Sequence, residues 1–245
     1  MRSAGLVGPS TRLIARPYLR GYHPICDLCA LPRVILCTAA FVSNRSMSET
    51  LTVYIDYKSP YAYLAMEPTR ALAREFSLRI TWRPYSLQIQ DYLGEIDTRN
   101  PHQWRRVKYS YMDARRMANE RGLIVLGPQK LFDSTVSHVG MLYAGDDGAE
   151  VQDRYHDIVF ERFFKRELNI EDPGAIANVL HEAGATVNTF QDILESEGRT
   201  RLDSVLKDAE DRLGIFGVPT YVIGNEIFWG GDRIPQVRRY LEQRA

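Results

Sequence analysis

Most of this chain lacks cysteine. Its three cysteines, Cys26, Cys29 and Cys37, all lie near the amino terminus, and residues 38–245 contain none. A folded part without cysteine has no thiol of its own for exchange with a disulfide. Cys26 and Cys29 have the C-x-x-C spacing, but no predicted strand precedes them and no amphipathic helix follows. The pair therefore gives little support for a redox motif.

Long apolar runs and a basic surplus are also missing. The longest uncharged apolar run near the amino terminus covers residues 34–42, which is too short to span a bilayer. The formal net charge is zero, and residues 49–245 carry more acidic than basic side chains. Nucleic-acid binding needs a clustered basic face. We therefore expect neither a membrane nor a nucleic acid as a partner.

Familiar metal and nucleotide motifs are absent as well. His138, His156 and His181 are not followed by a second ligand three or four residues later, so no metal site is predicted. The nucleophile elbow, the P-loop and the dinucleotide-binding fingerprint do not occur.

The first 48 residues differ in composition from the rest. They hold six arginines, no lysine and one acid, Asp27. An arginine-rich, acid-poor segment is typical of an organellar transit peptide. We expect residues 1–48 to be a disordered or cleaved leader and the protein to be mitochondrial. The alternative is that Met47 is the working start and the protein is cytoplasmic.

The segment Asp56–Tyr63 joins a predicted strand, Leu51–Ile55, to a predicted helix. Ser59 is placed as the helix N-cap, and Pro60 follows at the first helical position, where its missing N–H costs nothing. A hydroxyl there lies near free backbone N–H groups and the positive end of the helix dipole, a place that can hold an anion or a thiolate. The alternative for Ser59 is simple helix capping.

The remaining elements follow in an order that predicts the fold. A second strand is expected at 79–83, then a polar loop, and a hairpin at 220–223 and 226–229 with a Gly224-Asn225 turn, followed by a closing helix over 234–244. Helices are predicted at 104–121, 131–144, 151–167 and 173–183, with further starts at Thr186 and Thr200. This order predicts an α/β protein: a thioredoxin-like mixed sheet from residues 50–101 and 199–245, interrupted by an inserted all-helical domain at 102–198.

Three further positions are candidates for ligand binding. Pro219 precedes a strand that should be central, and a cis Val218–Pro219 bond would expose the Val218 backbone for pairing with an extended ligand; an ordinary trans proline is the alternative. Asp232 follows Gly230 and Gly231 and could bind a ligand amine, or merely cap the closing helix. Arg106 could bind a ligand carboxylate, or lie on a solvated helix face.

Three segments together resemble 2-hydroxychromene-2-carboxylate isomerases and kappa-class glutathione transferases, which share a DsbA-like thioredoxin fold. The segments are Ser59-Pro60-Tyr61-Ala62-Tyr63-Leu64, Phe216-Gly217-Val218-Pro219-Thr220 and Phe228-Trp229-Gly230-Gly231-Asp232-Arg233. The resemblance covers about residues 50–245. It implies glutathione as cofactor, with Ser59 facing its sulfur, Val218 and the cis-proline Pro219 pairing with its cysteinyl part, and Asp232 binding its γ-glutamyl end.

The chain departs from the family at two of these places. The family's lysine, seven residues before an aspartate on the first inserted helix, corresponds to Arg106, counted back from Asp113. The residue before the final aspartate is Ser or Asn in relatives and Gly231 here, which removes one polar contact.

The resemblance implies a glutathione-dependent transferase or isomerase that activates the bound thiolate at Ser59 and acts on a small electrophilic or aromatic substrate. Relatives of this kind are often dimers, so a homodimer is a further expectation. Two alternatives stay open: a DsbA-like disulfide oxidoreductase, and a non-catalytic glutathione- or peptide-binding module.

Overall fold

A computed structural model describes residues 49–186 and 190–244 of the chain. In these ranges the strands are β1 (Thr50–Ile55), β2 (Arg79–Pro84), β3 (Thr220–Ile223) and β4 (Glu226–Trp229). The α-helices are α1 (Pro60–Glu75), α2 (Ile89–Leu93), α3 (Pro101–Asn119), α4 (Thr135–Asp146), α5 (Ala149–Phe164), α6 (Pro173–Ala183), α7 (Phe190–Ile193), α8 (Arg199–Lys207) and α9 (Ile234–Glu242). Short 3₁₀ turns lie at Ile96–Thr98 and Gly231–Arg233, and π-helical turns at Leu194–Gly198 and Asp208–Arg212.

The four strands form one mixed sheet in the order β2-β1-β3-β4. β1 and β2 are parallel, whereas β1–β3 and β3–β4 are antiparallel. The predicted α/β fold, a thioredoxin-like mixed sheet with many helices, is confirmed. The predicted boundaries of the inserted domain, at 102 and 198, stay a prediction, and the leader lies outside the described residues.

β1 is the centre of the sheet. Leu51, Val53 and Ile55 have no exposed surface, because β1 has a strand on each side and helices cover the sheet. β-branched side chains suit such a buried pleated surface. The carboxyl end of β1 leads directly into the loop before α1, so the central strand of the sheet positions the candidate site.

Aromatic rings connect this loop to the helical region. Tyr57 is fully buried and its ring centroid lies 4.9 Å from that of Phe160 on α5. Tyr63 on α1 stacks on both Phe160 and Phe164, at 5.3 and 5.4 Å. α5 is thereby packed against the first turn of α1.

One predicted helix start is wrong. α4 begins at Thr135 rather than Leu131, because the Asp133 carboxylate accepts the Thr135 N–H at 2.9 Å and the Ser134 hydroxyl is bound elsewhere. α8 begins at Arg199, one residue before the predicted start at Thr200, within helical backbone that runs from Phe190 to Arg212.

Two further differences concern the region before α3. The predicted polar loop contains α2 and the 3₁₀ turn at Ile96–Thr98. α3 begins at Pro101, three residues earlier than predicted, because Asn100 and Gln103 form a capping box with bonds of 2.9 and 2.8 Å. Within the described ranges, no helix is long and apolar enough to cross a membrane.

Candidate functional site at the amino-terminal end of α1

Ser59 caps α1, as its position predicts. Its backbone is extended, and its Oγ accepts the Ala62 N–H at 3.2 Å. The side chain is almost completely buried, with 5% of the residue exposed. The bond to Ala62 uses the hydroxyl oxygen as an acceptor, so the O–H proton remains free to donate.

Asp56 lies directly behind the cap and has no exposed surface. Its carboxylate accepts the Lys58 N–H at 3.0 Å, the Leu87 N–H at 2.8 Å and the Ser134 hydroxyl at 2.6 Å. These donors come from three separate segments of the chain. Asp56 therefore ties the loop before Ser59 to the segment after β2 and to the start of α4.

Two basic side chains, Lys58 and His138, complete the surroundings of this carboxylate. Lys58 Nζ lies 3.5 Å from Asp56 Oδ2, and His138 Nε2 lies 3.5 Å from Asp56 Oδ1. Burial by itself opposes ionisation, but hydrogen bonding and charge from His138, followed by Lys58, hold the pKa of Asp56 below its ordinary value. Asp56 is thus a stable carboxylate, not a proton carrier.

A second buried pair lies beside it. The Tyr57 hydroxyl is 2.9 Å from His156 Nδ1, and both residues have no exposed surface. Burial, followed by the influence of Tyr155 and Asp56, raises the pKa of Tyr57 well above its ordinary value. Burial, followed by the charge of Arg70 and by His138, lowers the pKa of His156 well below its ordinary value. Both side chains are therefore neutral near pH 7.

From the sequence alone, His138 and His156 were candidates only as metal ligands. In residues 49–186 and 190–244, no group of His, Cys, Asp and Glu side chains is arranged to hold a metal ion. The buried hydrogen-bond cluster was missed because its members are far apart in the chain. The one local signal was a carboxylate, Asp56, directly after a buried strand.

The loop before β3 approaches the same end of the sheet. The Val218–Pro219 peptide bond is cis. The Pro219 carbonyl accepts the Gly230 N–H at 2.8 Å, and the Thr220 hydroxyl donates to the Gly217 carbonyl at 2.6 Å. In the described part of the chain, neither backbone polar group of Val218 forms a hydrogen bond. Val218 thus has a free donor and acceptor at the edge of the loop.

A cavity of about 680 Å³ lies between α1, the end of α3, the cis-proline loop and the segment after β4. Four of the predicted site residues line it: Val218, Pro219, Gly231 and Asp232. Ser59 and Arg106 are not among its lining residues. The structure thus brings the two carboxy-terminal motifs together on one wall.

The segment after β4 combines two different glycines. Gly230 has a φ of +114°, a backbone conformation that favours glycine. Gly231 has no such constraint, and an added Cβ would make only ordinary contacts, the nearest at 3.5 Å to the Ala65 methyl. The Asp232 side chain is 72% exposed, and one of its oxygens lies 3.2 Å from the Arg233 guanidinium. Asp232 can therefore reach a ligand in the cavity.

Aromatic side chains form the rim next to this segment. Trp229 lines the cavity, and its ring lies 4.7 Å from that of Phe216 in an edge-to-face arrangement. Both residues are about half exposed. A Cβ on Gly217 would lie 2.5 Å from the Trp229 ring nitrogen, so the indole covers the cis-proline loop closely.

Arg106, a predicted ligand-binding residue, is not among the residues that line the cavity. Its Nη1 donates to the Tyr92 carbonyl on α2 at 3.1 Å. Two other arginines, Arg121 and Arg233, line the cavity instead. Sequence reasoning missed Arg121 because only the three-dimensional turn after α3 brings it to α1.

Tyr61 and Asp113 form a polar contact on the α1–α3 side. The Tyr61 hydroxyl donates to Asp113 Oδ2 at 3.2 Å. Burial, followed by the Asp113 charge, raises the pKa of Tyr61 to about 12. Tyr61 is therefore a hydrogen-bond donor near neutral pH.

The profile of the DSBA-like thioredoxin domain matches residues 50–242, which is most of the chain. The chain belongs to this family. Thiol–disulfide exchange needs a cysteine thiolate, whereas this chain has Ser59 at the helix start and no cysteine after residue 37.

Relatives within the family support the resemblance seen in the sequence. The chain is 28% identical to 2-hydroxychromene-2-carboxylate isomerase from Pseudomonas putida over 183 residues, which is 74% of this chain and 88% of the relative. The solved structure of a 2-hydroxychromene-2-carboxylate isomerase has a TM-score of 0.65 at 25% identity and covers 79% of this chain and 95% of its own. The resemblance to 2-hydroxychromene-2-carboxylate isomerases is confirmed. These relatives, named as isomerases, indicate that the chain is an enzyme of the DSBA-like family.

A third comparison shows the fold alone. The crystal structure of a probable DsbA oxidoreductase from Streptomyces coelicolor has a TM-score of 0.66 at 15% identity, covering 80% of this chain and 89% of that one. The same fold thus occurs in proteins of this chain's group and in proteins described as oxidoreductases.

Proposed function

We propose that this protein is a glutathione-dependent enzyme that acts on a small electrophilic or aromatic substrate, as an isomerase or a transferase. One observation carries the proposal: Ser59, with a free O–H at the start of α1, shares the end of the sheet with an unpaired Val218 backbone in a chain body without cysteine. Such a site lacks its own sulfur and offers the groups that would hold a ligand's sulfur.

In this proposal each group has a separate role. The Val218 N–H and C=O pair with the cysteinyl backbone of glutathione, as an added strand would. Asp232 binds the ammonium of the γ-glutamyl end. The Ser59 O–H donates to the sulfur, and the helix N-terminus stabilises the negative charge, so the thiol loses its proton to solvent more readily.

The bound thiolate would then attack an electrophilic carbon of the substrate, forming a C–S bond. A transferase releases this conjugate. An isomerase expels the thiolate after rotation about a bond of the adduct, so the C–S bond breaks and glutathione is regenerated. The name of the Pseudomonas putida relative favours the isomerase and a substrate that carries a carboxylate on an oxygen heterocycle fused to an aromatic ring.

Calorimetric titration of the full chain with glutathione tests the binding step. We expect saturable heat at millimolar glutathione or below, and no heat would end the proposal. Thiolate absorbance against pH tests the role of Ser59: Ser59→Ala should raise the apparent pKa of the bound thiol. Ser204→Ala, at an exposed position on α8, is the matched control and should leave that pKa unchanged.

Glutathione accounting then distinguishes the reaction types. An isomerase turns over 2-hydroxychromene-2-carboxylate with no net loss of glutathione, whereas a transferase consumes one glutathione for each product. Binding without either reaction would support the non-catalytic module. One observation favours that second candidate, namely the missing side chain at Gly231, where relatives have Ser or Asn. If a variant that lacks residues 1–37, and therefore all three cysteines, reduced insulin, the result would instead support the oxidoreductase.

A further inference from the structure

Pro68 deprives one carbonyl on the wall of the cavity of its hydrogen-bond donor within the helix. It lies inside α1, and proline has no backbone N–H. In a regular helix the N–H of residue 68 would donate to the carbonyl of residue 64. The Leu64 carbonyl therefore has no partner of its own within the helix, although Leu64 is buried.

Arg121 supplies that partner. Its Nη1 donates to the Leu64 carbonyl, while its backbone N–H closes the end of α3 by donating to the Ala118 carbonyl at 2.9 Å. Leu64, Pro68 and Arg121 line both the 680 Å³ cavity and a second cavity of about 600 Å³ on the neighbouring face of α1. The guanidinium thus lies where the two cavities meet.

The other charged groups of the first cavity already have partners. Asp232 is paired with Arg233 at 3.2 Å, and Asp113 accepts from the Tyr61 hydroxyl. In the described ranges, no carboxylate lies within ion-pair distance of Arg121, and its guanidinium bonds only the neutral Leu64 carbonyl.

The acids of the second cavity are occupied in the same way. Asp157 pairs with Arg70 at 2.7 Å, Glu161 with Lys165 at 2.5 Å, and Glu67 with Arg74 at 2.6 Å. Arg121 is thus a permanent cation at the cavity wall, without a counterion in the part of the chain that the structure describes.

We propose that Arg121 is the carboxylate-binding residue of this cavity and that the Leu64 carbonyl holds its guanidinium until a ligand arrives. A guanidinium bonds a carboxylate through two parallel N–H donors, which is stronger than one bond to a neutral carbonyl. Arg121 would then do what the sequence assigned to Arg106, which bonds Tyr92 outside the cavity. The carboxylate belongs either to the glycyl end of glutathione or to an aromatic carboxylate substrate, so this inference rests on the proposed function for the identity of the ligand.

Calorimetry on the full chain with Arg121→Gln, Arg121→Lys and Arg106→Gln tests the assignment. The ligands are glutathione, its glycyl monoethyl ester, 2-naphthoate and the neutral 2-naphthamide. Arg121→Gln should weaken binding of the recognised carboxylate about 10- to 100-fold, the loss typical of a charged hydrogen bond. The affinity of Arg121→Lys should lie between the affinities of Arg121→Gln and wild type. Arg106→Gln should change the affinity less than about threefold.

The ligand arms distinguish the two sources of the carboxylate. If Arg121 binds the glycyl end, wild type prefers glutathione to its ester and Arg121→Gln does not. If Arg121 binds the substrate, wild type prefers naphthoate to naphthamide and Arg121→Gln does not. Unchanged preferences in both arms, an equal loss in Arg106→Gln, or no carboxylate binding by wild type would overturn the assignment.

These outcomes are separable from the fate of the proposed function. Arg121-dependent binding of naphthoate without any binding of glutathione would leave the assignment standing and end the proposed function. If glutathione binding and turnover were unchanged in Arg121→Gln, the assignment of Arg121 would be overturned and the proposed function would stand. Pro68→Ala adds an independent arm, because the new N–H competes for the Leu64 carbonyl and should free Arg121. We expect carboxylate binding to tighten severalfold in Pro68→Ala, and to lose that gain when Arg121→Gln is added.

Discussion

Two carboxylates near the start of α1 have opposite surroundings. Asp56, on the inner side, is buried, and Asp232, on the outer side, is exposed. On the inner side, Asp56 has no exposed surface and accepts three hydrogen bonds at 3.0 Å or less. On the outer side, Asp232 is 72% exposed and has one ion pair. The inner carboxylate fixes the shape of the loop before Ser59. The outer one keeps acceptor capacity that a ligand can use.

The largest expected effect separates these two carboxylates directly. Asp56→Asn should lower the free energy of unfolding by about 3 kcal/mol, because an amide N–H would face donors that now meet an oxygen. Asp232→Asn should change it by less than about 0.5 kcal/mol, since this side chain is at the surface. Urea unfolding of both full-length variants, followed by circular dichroism, measures the difference. Equal losses would remove the distinction between the two sides.

A smaller effect concerns the glycines on the outer side. Gly230→Ala should cost about 2 kcal/mol because a φ of +114° strains any residue with a Cβ. Gly231→Ala should cost less than about 0.5 kcal/mol, because its Cβ would meet only ordinary contacts. The same urea experiment compares them. If Gly231→Ala were the more damaging change, the outer wall would be more tightly packed than we describe.

The third expected effect is the pH dependence of the inner side. Because the folded-state pKa of His156 is lowered, the unfolded chain takes up a proton below about pH 6.5 that the folded chain does not. Stability should therefore fall by up to about 1.4 kcal/mol per pH unit below about pH 6.5. The pKa of Asp56 is also lowered, so its contribution is present above about pH 4 and is lost as the pH falls further.

Urea unfolding at a series of pH values, for wild type and His156→Gln, checks this dependence. The variant should lose the decline between about pH 6.5 and 4.5. His102→Gln, at an exposed position on α3, serves as the control and should keep it. A wild-type decline that survives in His156→Gln would assign it to another group.

Candidate site residues on the outer side could be nominated from the sequence, whereas the inner side could not be assembled. Ser59, Val218, Pro219 and Asp232 each belong to a short motif with its own backbone requirement, such as an N-cap or a proline before a strand, and their roles in ligand binding stay predictions. Asp56, Ser134, His138 and His156 were not assembled in advance, because hydrogen bonds between distant segments leave no local pattern. Arg106 shows the same limit, because its position along α3 does not reveal that its guanidinium donates to the Tyr92 carbonyl.

The fold itself followed from the order of strands and helices, because hydrophobic periodicity is local. The predicted start of α4 was wrong because the Asp133 carboxylate accepts the Thr135 N–H, a side-chain contact that hydrophobic periodicity does not record. The Ser134 hydroxyl donates to Asp56, and this hydrogen bond between distant segments was missed as well.

The position of Trp229 has a practical consequence. Of the three tryptophans, Trp82 is buried, with its ring nitrogen bonded to Asp153, and Trp104 lies outside the cavity near Arg99. Trp229 alone of the three lines the cavity, and it is half exposed against Phe216. We expect its fluorescence to report occupancy of the cavity, and a Trp104→Phe background would leave buried Trp82 as the only other indole. Ligands that do not absorb in the indole range can then be ranked in solution by the change in Trp229 fluorescence.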